Sequence, residues 1–325
     1  MKKTIVGIVV GLTLALVGTG TASLLAVLVT FAPPDRPESI AIDHQGNTYV
    51  SMYQTGEVRQ IATDGTQSTL AVLGVGANST FPGRRLAGIA VDESGNVYAA
   101  LGDVPQTQGI WRIDTHGTAS QFTPLASAPN GLTFDHRGAL YVSASSSGLI
   151  YRIGRHGAAT PWSADTLLLG SNPGPCGVNH PAGNIGVNGL TFNKHGDLLV
   201  ANTSVGAIVK IPVAADGSAG VADYFAGPDC DLWGADGLAM DNADNLYVAA
   251  NVKGNIARVD PNGTIDVLAS RANGDPLSFP SAIAFGTGLG NRKQIFITNF
   301  APPVLVGGIP GLVTMDTGVP GRPLP

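Results

Sequence analysis

Apolar residues recur along this chain in short runs, cut by turns rich in Gly, Asn and Asp, and no 3.6-residue period persists beyond the N-terminal segment. Runs of that kind predict strands rather than helices. The stretch 237–268 shows the unit most clearly. Gly237-Leu238-Ala239-Met240 reads as a first strand and Asp241 to Asn245 as a turn. Leu246 to Ala249 reads as a second strand, and Asn255 to Val259 as a third. Pro261-Asn262-Gly263 then turns into a fourth, Thr264 to Leu268. Asx-Gly pairs suit such hairpins because both residues tolerate positive φ. Asp64-Gly65 and Asp216-Gly217 stand at the equivalent place in other units, as do His116-Gly117 and His156-Gly157.

The first strand of the unit is a phrase that occurs six times. Its successive forms start at Pro37-Glu38-Ser39-Ile40, Leu86-Ala87-Gly88-Ile89, Pro129-Asn130-Gly131-Leu132, Val187-Asn188-Gly189-Leu190, Ala235-Asp236-Gly237-Leu238 and Pro280-Ser281-Ala282-Ile283. The second residue of each phrase falls at 38, 87, 130, 188, 236 and 281, spaced by 49, 43, 58, 48 and 45 residues. Periods of this size, filled only by strands and turns, predict propeller blades. The fold class is therefore all-β, a six-bladed β-propeller forming a single domain over residues 23–325. The run Leu25 to Phe31 reads as an outer strand placed ahead of the first blade. Pairing it with the last blade closes the ring and leaves no open edge.

Residues 1–22 begin with Met1-Lys2-Lys3, continue through the apolar Ile5 to Val17 and end in small residues up to Ala22. This is the layout of a signal peptide, with an uncleaved membrane anchor as the alternative. Either route exports the domain, to a secreted or periplasmic location or to one anchored by this segment. The two cysteines, Cys176 and Cys230, precede the fourth and fifth first-strand phrases, on the same rim of neighbouring blades. A disulfide between them fits an oxidising compartment. The net charge of −5 and the absence of a basic run argue against nucleic-acid partners and leave a small molecule as the expected partner. Membrane contact is expected only through the N-terminal segment.

Closing six repeats around an axis turns the 38/87/130/188/236/281 column into a ring. Glu38, Asn130, Asn188 and Asp236 then bring two carboxylates and two amide carbonyls to the channel mouth. Such a set suits a hard divalent cation: calcium first, with zinc, manganese or magnesium as other occupants. A plainer reading makes Asn130-Gly131, Asn188-Gly189 and Asp236-Gly237 turn dipeptides, but Glu38-Ser39 carries no such signal. The histidines offer little chemistry. His44, His136 and His195 lie in first turns, and His116 and His156 in the turns before outer strands. Only His180, in the insertion between Asn172 and Gly186, is within reach of the rim.

The same phrases resemble the SMP-30/gluconolactonase/luciferin-regenerating-enzyme family over about Pro37 to Gly318. The resemblance implies metal ligands at Glu38, Asn188 and Asp236, and at Asn130 a residue that meets substrate or metal-bound water. The Glu, Asn, Asn, Asp ring is also similar to that of paraoxonase-like lactonases. A metal-dependent lactonase or related ester hydrolase follows, acting on a small lactone or ester. Asp236 or Glu38 would be the general base, with Asn130 and His180 toward substrate. The chain departs from the family at Ser39-Ile40, where gluconolactonases usually have Gly-Pro, and in lacking a clear sugar-gripping arginine; Arg84 and Arg85 stand nearest. Two rival readings are a non-catalytic NHL-like binding platform and a metal-free strictosidine-synthase-like enzyme.

Overall fold

A computed structural model describes residues 25–74, 85–102, 104–303 and 305–323. Residues 1–22, the expected signal peptide or anchor, and Arg84 lie outside these residues. The described strands form six four-stranded antiparallel sheets, each one blade of a propeller. The inner strands are Pro37–Ile42, Leu86–Val91, Leu132–Phe134, Val187–Phe192, Ala235–Met240 and Pro280–Phe285. In blades one to five the remaining strands follow in order outward along the chain.

Blade six is completed from the other end of the chain. Leu25–Thr30 pairs antiparallel with Gly311–Asp316, in a register running from Leu25 opposite Met315 to Thr30 opposite Gly311. The expected closure is therefore present, and the strand that would otherwise be an open edge has its ladder filled.

Each blade is sandwiched between two others, so its middle strands face apolar neighbours on both sides. Val97–Leu101 and Leu246–Ala250 are accordingly buried at every position. The cores lie between blades: Tyr49 and Val58 of blade one pack with Ile89 and Val97 of blade two. Second-strand tyrosines supply much of the bulk, as where Tyr141 meets Trp162 and Phe192 edge-on at 5.0 and 5.1 Å. The first turns share one design. Asp43 Oδ1 accepts from the backbone N–H of Gln45 and Asn47, and Asp241 Oδ1 from Ala243 and Asn245. These aspartates are spent on turns and stand apart from the column.

Candidate active site and metal centre

The column residues sit where inner strands pack hardest against one another. A Cβ on Gly131 would lie 2.3 Å from the Asn188 carbonyl oxygen, and one on Gly189 2.1 Å from that of Asp236. Neither glycine has positive φ. Glycine follows the column residue because the next blade's backbone occupies the space a side chain would need, so the turn-dipeptide reading does not apply. Hydroxyls stitch the same seam. Ser51 Oγ donates to the Ala87 carbonyl at 2.6 Å, Ser143 Oγ to that of Asn188 at 2.6 Å, and Ser281 Oγ to that of Pro37 at 3.3 Å.

Backbone contact thus runs from the Asn130 position to Asn188, from there to Asp236, and on to Ser281 beside blade one. Asn188 and Asp236 are buried, while Glu38 and Asn130 are half-buried. Ala87 and Ser281 complete the ring without offering a charge; the Ser281 hydroxyl is engaged with Thr298 at 2.8 Å.

A second column, which the reading of the sequence missed, holds the first in place. Asn130 Nδ2 donates to Ser145 Oγ at 3.0 Å, Asn188 Nδ2 to Thr203 Oγ1 at 3.1 Å, and Asn251 Nδ2 to Asp236 Oδ2 at 2.8 Å, each pair separated by 15 residues. Tyr53 stands at the same offset from Glu38. That constant spacing, one residue past the inner hairpin, is the signal that marks the partners. Thr203 also fixes an orientation. Its hydroxyl proton goes to the Ala235 carbonyl at 2.8 Å, so its lone pair must take the amide proton of Asn188. Asn188 Oδ1 is left as the free end, and among the described residues nothing donates to it or to Asn130 Oδ1.

The two carboxylates feel one another across the ring. Burial pushes the Glu38 carboxyl up to about 7. Burial raises Asp236 well above the usual range, the Glu38 charge raises it further, and the Asn251 bond opposes both. Tyr53 is raised by burial first and by Glu38 second, with the exposed Arg85 pulling the other way, so both side chains belong to this rim. The Tyr53 ring meets Phe300 edge-on at 5.5 Å, and Phe279 lies 6.1 Å beyond. Phe279 and Arg85 both hold positive φ, at 59° and 50°, a costly conformation for such side chains.

On the opposite side, the 172–186 insertion is tied down by the Cys176–Cys230 disulfide, with Cα atoms 5.0 Å apart. His180 is buried, at 4% exposure, rather than solvated as a rim-loop histidine would be. Its Nδ1 accepts from the Ala182 N–H at 3.2 Å, and its ring meets Trp233 edge-on. Burial lowers its pKa, partly offset by the Asn251 side chain beside it.

The donor set fits a hard divalent cation. A buried and a half-buried carboxyl share the ring with Asn251 as their one hydrogen-bond partner among the described residues, and the two amide oxygens accept no bond there. A dication would offset the burial that raises both carboxyls and the Glu38 charge that raises Asp236 further. No group of three or more His, Cys, Asp or Glu forms a metal cluster among the described residues, so any site here rests on the mixed carboxylate–amide set. A cavity of about 610 Å³ lies elsewhere, between the later halves of the inner strands. Its walls include Ile42, Val91 and Phe285, its cations Arg137, Lys194 and Arg322, and no column residue lines it.

Residues 178–300 match the family model described as the SMP-30/Gluconolactonase/LRE-like region. No curated protein matches the sequence. Among solved structures, a gluconolactonase from Xanthomonas campestris is 18% identical, with 92% of this chain and 89% of that one covered at a TM-score of 0.63. The calcium-binding protein regucalcin from Agrobacterium tumefaciens is 20% identical, with 90% and 94% covered at 0.64. Virginiamycin B lyase from Staphylococcus aureus is 18% identical, with 85% and 81% covered at 0.58. At such identities the likeness is one of fold.

Proposed function

We propose that this propeller, with its SMP-30/gluconolactonase/LRE-like region and six-bladed fold, is an exported metal-dependent lactonase. The ring of Glu38, Asn130, Asn188 and Asp236 with its fifteen-residue partners carries the reading. A pure binding platform has no use for two carboxyls whose ionisation burial opposes. The family match and the gluconolactonase and regucalcin folds favour lactone chemistry and calcium over the lyase chemistry of the third relative. The disulfide fits an oxidising compartment.

Glu38, Asn188 and Asp236 would hold the cation, with Asn130 shared between cation and substrate. A calcium ion bound there supplies a Lewis acid for the lactone carbonyl and an acidified water. Asn188 Oδ1 is pre-aimed by Thr203, and Asp236 is steadied by Asn251, so the donors need little reorganisation. Tyr53, Phe279 and Phe300 form an aromatic wall beside Glu38 against which a lactone ring can lie. Glu38, whose carboxylate accepts no hydrogen bond from the described residues, is the proton acceptor. Water adds to the carbonyl carbon and the ring C–O bond breaks. The water proton passes to Glu38 and then to the departing alkoxide, giving a hydroxy acid.

The test is hydrolysis of aliphatic and sugar lactones by the purified domain, before and after chelation and after calcium is restored. Activity that vanishes with chelator, returns with calcium and is lost in Glu38→Ala and Asp236→Ala is the expected result. Full activity in either variant would refute the assigned roles.

A further inference from the structure

We propose that His180 is a positioning residue that acts through Asn251 to hold Asp236 in its site-facing state. The His180 Nδ1 accepts the Ala182 N–H at 3.2 Å, so the neutral ring carries its proton on Nε2. That Nε2–H is buried without a hydrogen-bond partner, and so is the carbonyl Oδ1 of Asn251. The two side chains are neighbours: the His180 ring packs on Trp233, and Asn251 Oδ1 lies against Gly234, the next residue. One is a donor and the other an acceptor, each unsatisfied where an unpaired buried group costs about 1–3 kcal/mol.

Asn251 has two ends, and the neighbouring histidine proton decides which one faces the site. With Oδ1 toward His180, Nδ2 donates to Asp236 Oδ2 at 2.8 Å, as observed. With the amide turned over, a carbonyl oxygen would confront the carboxylate, and His180 Nε2–H would confront an NH₂ group. Both contacts would be repulsive, so the histidine proton selects the amide orientation and thereby the donor to Asp236. Asp236 Oδ2 is then occupied and Oδ1 remains for the ring.

The insertion is built to hold this imidazole still. The His180 N–H donates to Asn172 Oδ1 at 2.9 Å, and Gly183 N–H donates to the His180 carbonyl at 3.0 Å. Trp233 packs against the ring at 6.4 Å between centroids. The Cys176–Cys230 disulfide joins the insertion to the short 3-10 helix Cys230–Leu232, which leads through Trp233 and Gly234 into the strand that carries Asp236.

The effect on cation binding rests on the function proposed above; the His180–Asn251–Asp236 relay does not. Two variants separate donor from packing. His180→Phe keeps an aromatic ring for Trp233 but has no donor, and His180→Gln restores an N–H at similar reach. The side-chain amide of Asn251 is followed by NMR, and calcium alone is titrated by calorimetry into the metal-stripped exported domain. His180→Phe is expected to shift the Asn251 amide signals and speed their hydrogen exchange, and to weaken calcium at least about tenfold. His180→Gln is expected to stay near wild type in both. Unchanged amide signals in His180→Phe, or a His180→Gln that fares no better than His180→Phe, would overturn the relay. If His180→Phe does not fold, loss of the amide signature in His180→Gln overturns it. If the wild type takes up no calcium, the cation reading falls while the amide signals still decide the relay.

Discussion

Glu38→Gln isolates the energetic cost that the Glu38 carboxylate imposes on the fold in chelator. Burial raises the Glu38 carboxyl from an ordinary 4.5 to about 7. The folded chain therefore binds this proton more tightly than the unfolded chain does. The resulting stability is complete below the unfolded value and is lost as pH climbs from 4.5 through about 7. For Glu38 alone the loss is worth about 3 kcal/mol, and the raised Asp236 adds to it in the same direction. The assay is urea unfolding in chelator at a series of values from about pH 4 to pH 8. Wild type should weaken across that range. Glu38→Gln should follow a flatter curve and surpass wild type at the alkaline end. Calcium at about 100 times its Kd should return about 2.7 kcal/mol to wild type and much less to the variant. Parallel pH curves for the two proteins would show that the fold does not oppose ionisation of Glu38 and would refute this account of the ring.

Gly189→Ala should destabilise the fold by at least about 1–3 kcal/mol, because the added carbon would lie 2.1 Å from the Asp236 carbonyl oxygen, which is backbone and cannot swing aside; chemical denaturation measures it. Thr203→Val removes the acceptor of Asn188 Nδ2 and the donor to Ala235 together, at about 1–3 kcal/mol, and Thr203→Ser should recover most of the loss in the same assay. Replacing both cysteines by serine frees a cross-link spanning 54 residues and should cost about 4 kcal/mol on the chain-entropy view, seen as a lower Tm that reductant no longer alters. Deleting residues through Phe31 uncovers the strand Gly311–Asp316, and light scattering should then report edge-to-edge association.

Much of this was legible in the residues themselves. The period of the Pro-Glu-Ser-Ile and Asn-Gly-Leu phrases, the Asx-Gly hairpins and the outer strand at Leu25 are local patterns, and strand formation is a local matter of alternation and turn chemistry. The Cys176–Cys230 pairing followed from blade neighbourhood alone. The column was legible too, but the reason for its glycines was not. Gly131 and Gly189 look like turn residues in one dimension, and only the neighbouring blade's carbonyl shows that they answer to crowding. The partners Ser145, Thr203 and Asn251 lie a constant distance downstream, yet nothing marks them as partners until the inner hairpin folds back on itself.

Other features belong to the tertiary structure alone. Tyr53 of blade one meets the blade-six pair Phe279 and Phe300 only because ring closure sets the last blade against the first. His180 lies in an irregular insertion, where no period predicts burial, and its contact with Asn251 depends on how the disulfide folds that segment down. Glu38 and Asp236 are 198 residues apart in the chain, and their mutual charge is set by the diameter of the closed ring. Repeating local chemistry determined the blades and which residues head them. How closely those heads approach, and what each one costs to ionise, was decided by ring closure and by the exclusion of water that closure brings.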